Sequence, residues 1–209
     1  MLHRIFVSVA LVGLMVSTAA AAESGAAERT DALIAAFKAV KPMPETGELT
    51  AADKQANVKA FADLDGFFDY DRLTGDPIEP HKKSLGAAQQ RRFREAFREL
   101  IRLVAFPNSG TFLSAAKTTV KPAQVNGTSA EVAMHTALPK EDVEIDVLFH
   151  WKKSAGAWRI VDVAFDGASL VKDYQNQFGR IITKKGGDGL MDTLEKRLTK
   201  ERSERKVLP

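Results

Sequence analysis

Val143, Ile145, Val147, Phe149 and Trp151 alternate with Glu144, Asp146, Leu148 and His150. A period of two sustained over this stretch places one apolar row on one face of an extended strand. It cannot be a helical face, where same-side residues recur every three to four positions. Turn signals lie close on both sides. Pro139-Lys-Glu-Asp142 precedes the strand, and Ser154-Ala-Gly156 separates it from an apolar run over Trp158–Phe165. Upstream, Asn126-Gly127 is the strongest short hairpin signal a sequence can carry, because both central positions of a type I′ turn need positive φ. It joins an expected strand at about 118–125 to one at about 128–138. Three short connections in succession predict a four-stranded antiparallel meander over 117–166.

Helical periodicity surrounds this sheet. Leu33, Ile34, Phe37 and Val40 share a face and stop at Pro42. Thr50-Ala-Ala-Asp53 is a capping pattern leading into Val58, Phe61 and Leu64. Asp69–Pro80 reads as a loop, broken by Gly75, Pro77 and Pro80. A further helix over 87–106 carries a stripe of Phe93, Ala96, Phe97, Leu100, Ile101 and Val104, and Pro107-Asn108 is expected to end it. After the sheet, Leu170, Val171, Tyr174, Phe178 and Ile181 begin two helices at 168–185 and 188–203, separated by Gly186-Gly187. Helices over 23–110, a curled sheet, then helices over 168–203 predict an α+β domain spanning 23–209. The tail beyond about Lys200 is expected to fray.

The first residues do not belong to that domain. Basic His3-Arg4, an apolar run from Ile5 to Val16 and then Ala20-Ala21-Ala22 form a secretory signal over 1–22. The run is shorter than the roughly 20 residues a spanning helix needs. Cleavage after Ala22 leaves Glu23–Pro209. The chain has no Cys, so disulfides, thiolate chemistry and lipobox acylation are excluded. A net charge of +3, with acids and bases interleaved, lacks the clustered basic footprint of a nucleic-acid binder.

Catalytic constellations are missing from the sequence. His81, His135 and His150 sit in no metal-ligand spacing, and pairing across the 138–142 turn with numbers summing to about 280 keeps His135 and His150 apart. No P-loop, Gly-x-Ser-x-Gly or dinucleotide fingerprint occurs. Asp162 lies inside a strand. A cone-shaped isomerase could use such a carboxylate as general base, and a strand-end hydrogen bond is the competing reading. No catalytic residue and no metal ligand is assigned. What stands out is apolar surface on one sheet face and on the flanking helices. Side-chain type alone serves equally for a plain core, as in a dry adaptor protein, and for a ligand cavity.

The C-terminal motif favours the cavity over the dry adaptor core and over an isomerase using Asp162. Trp158-Arg-Ile-Val-Asp-Val, Asp166-Gly-Ala-Ser-Leu-Val171, Tyr174, Gln177-Phe178 and Gly186-Gly-Asp-Gly-Leu190 with Leu194 resemble the MlaC family of periplasmic phospholipid-binding proteins, also called toluene-tolerance auxiliary components. Gln90-Arg91-Arg92-Phe93 with Phe97 extends the likeness upstream, and the similarity covers roughly Phe61–Leu198. Ala168, Phe106-Pro107 and the Asp69–Pro80 segment depart from the family's usual residues.

The resemblance implies a carrier whose cargo is a phospholipid, with no cofactor. Acyl chains would lie between sheet and helices. Phe67, Phe68, Leu100 and Val104 would line them from the helical half. Val132, Met134, Ile145, Val147, Phe149, Val163 and Phe165 would do so from the strands, with Leu170, Tyr174 and Phe178 from the last helices. It further implies a monomer in the periplasm. There it would move lipid between an inner-membrane ABC transporter bearing an MCE-domain protein and an outer-membrane lipoprotein complex, in support of outer-membrane lipid asymmetry. Two tails of about 30 methylenes at about 0.8 kcal/mol each give a gross transfer term on the order of 24 kcal/mol, enough to retain lipid in water.

Overall fold

A computed structural model describes residues 17–44 and 46–209. The predicted leader lies for the most part, at residues 1–16, outside the described residues. Helix α1 (Ser17–Lys38) is followed by α2 (Ala51–Asp65), and Thr50 caps the latter by accepting the Asp53 N–H at 3.1 Å. Asp69 caps α3 (Tyr70–Gly75), which leads into a 3₁₀ segment, Asp76–Ser84. The expected loop over 69–80 is therefore helical. Pro77 sits in the first turn of the 3₁₀ segment, where a missing N–H costs nothing.

Helix α4 (Ala87–Leu100) does not stop at Pro107. It widens into a π turn, Ile101–Ala105, and continues as α5 (Phe106–Ala115). The Phe106 N–H reaches back five residues to the Ile101 carbonyl. That wider turn makes room for the Pro107 ring, which would otherwise press on the carbonyl four residues earlier.

Among the described residues the sheet has six strands rather than four. They are β1 (Lys117–Val120), β2 (Gln124–Asn126), β3 (Ser129–Leu138), β4 (Val143–Ser154), β5 (Ala157–Phe165) and β6 (Ala168–Ser169). Strands β1 to β5 form the expected antiparallel meander in the order β1-β3-β4-β5, with β6 on the far edge and β2 also pairing β3. Pro122, with no N–H to donate, splits the expected first strand into β1 and β2. A tight return at Asp166-Gly167, both at positive φ, adds β6. Asn126 pairs with Ser129 around Gly127, as the hairpin signal predicted. The β3–β4 register runs one residue from the expected sum, so His135 faces Asp146 and His150 faces Glu131. Their ring nitrogens lie 2.9 Å and 3.3 Å from those carboxylates, and the two histidines stay apart.

A register shift between β4 and β5 has a larger consequence. His150 pairs with Asp162 while Trp151 pairs with Ile160, leaving Val161 opposite nothing. Such a bulge reverses the in–out phase of the strand. Before it, Trp158 and Ile160 are buried; after it, Val163 and Phe165 share the inner face with their partners Phe149 and Val147. Simple alternation sets Val161 inward with Val163 and Phe165; the last two are inward, and the bulge removes Val161 alone from that row.

Helix α6 (Leu170–Glu204) contains a break at Gly186, whose φ of 69° and ψ of −175° suit glycine alone. The two expected C-terminal helices are thus two arms meeting at one kink. The tail beyond Lys200 does not fray. Val207 is fully buried, Asn57 Nδ2 donates to its carbonyl at 3.0 Å, and Glu201 receives both Arg197 and Arg205.

Candidate functional site: an apolar cavity between sheet and helices

Phe37, Phe61, Phe68 and Phe106 cluster at one side of the core, edge to face except for the stacked pair Phe68–Phe106, with centroids 5.3 to 6.3 Å apart where they meet. Phe93, Phe97, Tyr174 and Phe178 form a second cluster at 4.8 to 5.5 Å. Between these clusters and the sheet the helices stand off, leaving a cavity of about 250 Å³. The sheet contributes Met134, Val147, Phe149, Val163 and Phe165 to its wall. These are mutual cross-strand partners, so alternation and bulge together set them on one face. Leu33 and Phe37 of α1 close one side, and Phe97, Ile101, Ala105 and Phe106 run along the α4–π–α5 rod. Leu170, Val171 and Tyr174 complete the wall from the start of α6.

Among the described residues, the hydroxyls of Ser109 and Tyr174 alone interrupt an otherwise apolar lining, and no charged side chain enters it. Burial pushes the Tyr174 phenol above its usual range, so it stays neutral. The exposed members of the lining are Ala105, Phe165 and Leu170, the last two 40 % and 36 % accessible. The mouth therefore lies between the π turn and the β5–β6–α6 corner. A site so composed can take up hydrocarbon by the hydrophobic effect.

The predicted lining residues divide. Phe68, Met134, Val147, Phe149, Val163, Phe165, Leu170 and Tyr174 meet at the cavity. Val132 and Leu100 are buried away from it, Val104 and Ile145 are half-buried against the core, and Phe67 lies beneath the Arg29 guanidinium at 3.9 Å. Phe178 backs the wall by stacking on Tyr174. Sequence reasoning missed Leu73, Phe112, Leu113 and the π-turn residues as lining. Leu33, Phe37 and Phe97 were legible as core stripes, but nothing in a periodicity says which core residues border empty space.

Asp162 stands elsewhere. Its oxygens accept from the Val163 N–H at 2.8 Å, the Val171 N–H at 3.1 Å and the Ser169 hydroxyl. It ties the end of β5 to the start of α6, does not line the cavity, and matches the strand-end reading of that residue. Among the described residues no group of three or more His, Asp or Glu is placed to hold a metal ion.

The fold is shared with a solved structure. A phospholipid-binding protein from Ralstonia solanacearum, determined in complex with a phospholipid, aligns with a TM-score of 0.65 at 19 % identity, covering 87 % of this chain and 98 % of that one. The family description "MlaC protein" matches residues 35–196, well over half of the chain. That span takes in both aromatic clusters, the sheet and the cavity mouth, and on it the chain belongs to the MlaC family.

Proposed function

We propose that this protein is a phospholipid carrier of the periplasm, delivered there by cleavage of residues 1–22. One observation carries the reading: a cavity lined by hydrocarbon and open at one side, in a fold shared with a protein solved with a phospholipid bound. The tails would enter past Phe165, Leu170 and Ala105, leaving the headgroup in water. No helix among the described residues is long and apolar enough to cross a membrane, so the carrier would meet bilayers from outside.

At about 250 Å³ the cavity falls below the roughly 300–1,000 Å³ of ordinary ligand pockets. Two acyl chains therefore require the helical wall to move outward from the sheet. Side chains alone join α4, the π turn and α5 to the sheet at the cavity, so an outward movement of that rod breaks no strand pairing. The resemblance supplies the wider role, shuttling lipid between an MCE-type inner-membrane ABC transporter and an outer-membrane lipoprotein complex, without catalysis. Hydrocarbon is as well solvated in a bilayer as in the cavity, so release into a membrane needs only an opened path.

Organic extraction and mass spectrometry of the exported protein is the test. Phospholipid near one mole per mole, with a mature N-terminus at about Glu23, is the expected result. Lipid-free protein that takes up none from vesicles would defeat the proposal.

A further inference from the structure

A second concavity lies on the outer side of α6 and shares nothing with the apolar cavity. It encloses about 330 Å³ and is lined by His81, Gln175, Asn176, Gly179, Arg180, Thr183 and Lys184. Asn176, Gly179, Arg180 and Thr183 follow a spacing of three, one and three, which puts them on one helix face. His81 approaches from the 3₁₀ segment. Every side chain in the groove is polar or basic, and none is a carboxylate.

Two features need an explanation beyond solubility. First, a Cβ at position 179 would lie 2.4 Å from Nε2 and 2.9 Å from Cε1 of His81. The imidazole therefore rests on bare backbone, and only glycine allows it to close the groove. Second, Arg180 and Lys184 are like charges one turn apart, an arrangement that weakens a helix. Neither has a carboxylate partner among the described residues. Several basic residues elsewhere are ion-paired, among them Arg92 with Glu195, Arg202 with Glu99, Arg197 with Glu201 and Arg98 with Asp65. The nearest carboxylates on the 3₁₀ segment are engaged as well, Asp76 with Arg72 and Glu79 with Lys82. Gln175 donates to the Asp76 carbonyl at 2.9 Å and fixes the helix against that segment.

We infer that this groove binds a phosphate-bearing anion. Arg180 and Lys184 supply charge, His81 closes one side, and the Asn176 amide and Thr183 hydroxyl donate hydrogen bonds. Guanidinium and ammonium donors with amide and hydroxyl donors at their side are what phosphate oxygens require. The anion would relieve the repulsion between the two cations. A phospholipid headgroup at a membrane surface and free phosphate share this chemistry.

The test uses the full mature protein, lipid-loaded as purified. Inorganic phosphate is titrated at constant ionic strength against a chloride control, and the Gly179, Arg180 and Thr183 amide resonances are followed by NMR. Saturable shifts at these amides are expected. In R180E/K184E, which changes two exposed side chains, and in H81A, the affinity should weaken by about tenfold or more. Thermal melts establish that the variants fold. In a parallel arm the protein is floated with phosphatidylglycerol or phosphatidylcholine vesicles. Recruitment to phosphatidylglycerol that the double variant loses identifies the lipid headgroup as the source. Phosphate binding with equal, weak flotation on both vesicles identifies free phosphate. No response to phosphate beyond the chloride control, or a response unchanged in R180E/K184E, overturns the inference and leaves the lipid content of the apolar cavity as it was.

Discussion

The inner face of the sheet is one surface with two fates. At one end Ala130, Trp151 and Ile160 are cross-strand partners, all at most 3 % accessible. The chain between α2 and α3 is stitched directly to this end. Ile160 N–H donates to the Phe67 carbonyl at 2.8 Å, and Asp69 N–H to the Ile160 carbonyl at 2.9 Å. At the other end Met134, Val147 and Phe165 are partners of the same kind, yet they border empty space and Phe165 reaches solvent. The side chains are equally apolar. The difference is whether backbone holds the helical layer down on the sheet. Where it does, there is core; where the α4–π–α5 rod meets the sheet through side chains alone, that layer can stand off, and a cavity results.

This contrast can be broken most forcefully at the dry end. Trp151→Ala should cost about 3–5 kcal/mol of stability, the usual range for emptying a buried aromatic site. Phospholipid recovered per mole of folded protein should stay the same. Chemical denaturation and lipid extraction on the same preparation measure both. A variant that keeps its stability, or loses its lipid while folded, would show that the two ends are not distinct.

Val147→Asp probes the other end. An unpaired carboxylate against acyl chains costs several kcal/mol. Each 1.4 kcal/mol, roughly, is a factor of ten in binding, so lipid recovery should fall about tenfold or more. Because the cavity opens to solvent nearby, the carboxylate can hydrate in the empty protein, and the melt should move less than for Trp151→Ala. Undiminished lipid in a folded Val147→Asp protein would place the tails elsewhere.

The two tyrosines give the smallest and most discriminating contrast. Tyr70, beside the stitched segment, donates to Asp65 Oδ1 at 2.6 Å, and Tyr174 faces the cavity. Burial raises both phenols, and for Tyr70 the Asp65 carboxylate adds to the rise. A raised phenol keeps its proton in the folded state after the unfolded chain has lost it at about pH 10. Stability from this source is thus complete below about pH 10 and declines as pH climbs through the folded-state value. Tyr70→Phe should flatten that alkaline decline more than Tyr174→Phe and, unlike it, should cost about 1 kcal/mol at neutral pH for the lost hydrogen bond. Urea midpoints between pH 8 and 11 would reveal equal effects if the two sites were alike.

Much of this molecule was legible in its residues. The period-two run of β4, the Asn126-Gly127 hairpin and the Thr50 cap are local signals, and local backbone preference suffices to read them. Others were misread because the deciding contact was not local. Pro107 looked like a helix end, since proline normally is one; the π turn that absorbs its ring depends on the packing of the whole rod. Val161 looked inward along with Val163 and Phe165 because simple alternation said so; the bulge left Val161 unpaired, while Val163 and Phe165 keep the inner face and Asp162 ties β5 to α6. The tail past Lys200 looked too charged to order, yet Val207 is buried beside Asn57 across 150 residues of sequence.

The sequence by itself determined the order of helices and strands, the absence of thiol chemistry and the family, because these rest on residue identity and short-range spacing. The cavity was decided by tertiary structure alone. Burying an apolar side chain against another side chain or against empty space demands the same residue, and periodicity records only that it turns away from water. Whether α4 and α5 settle on the sheet or stand clear of it depends on where backbone stitches the layers together. That is a property of the assembled layers and of no segment within them.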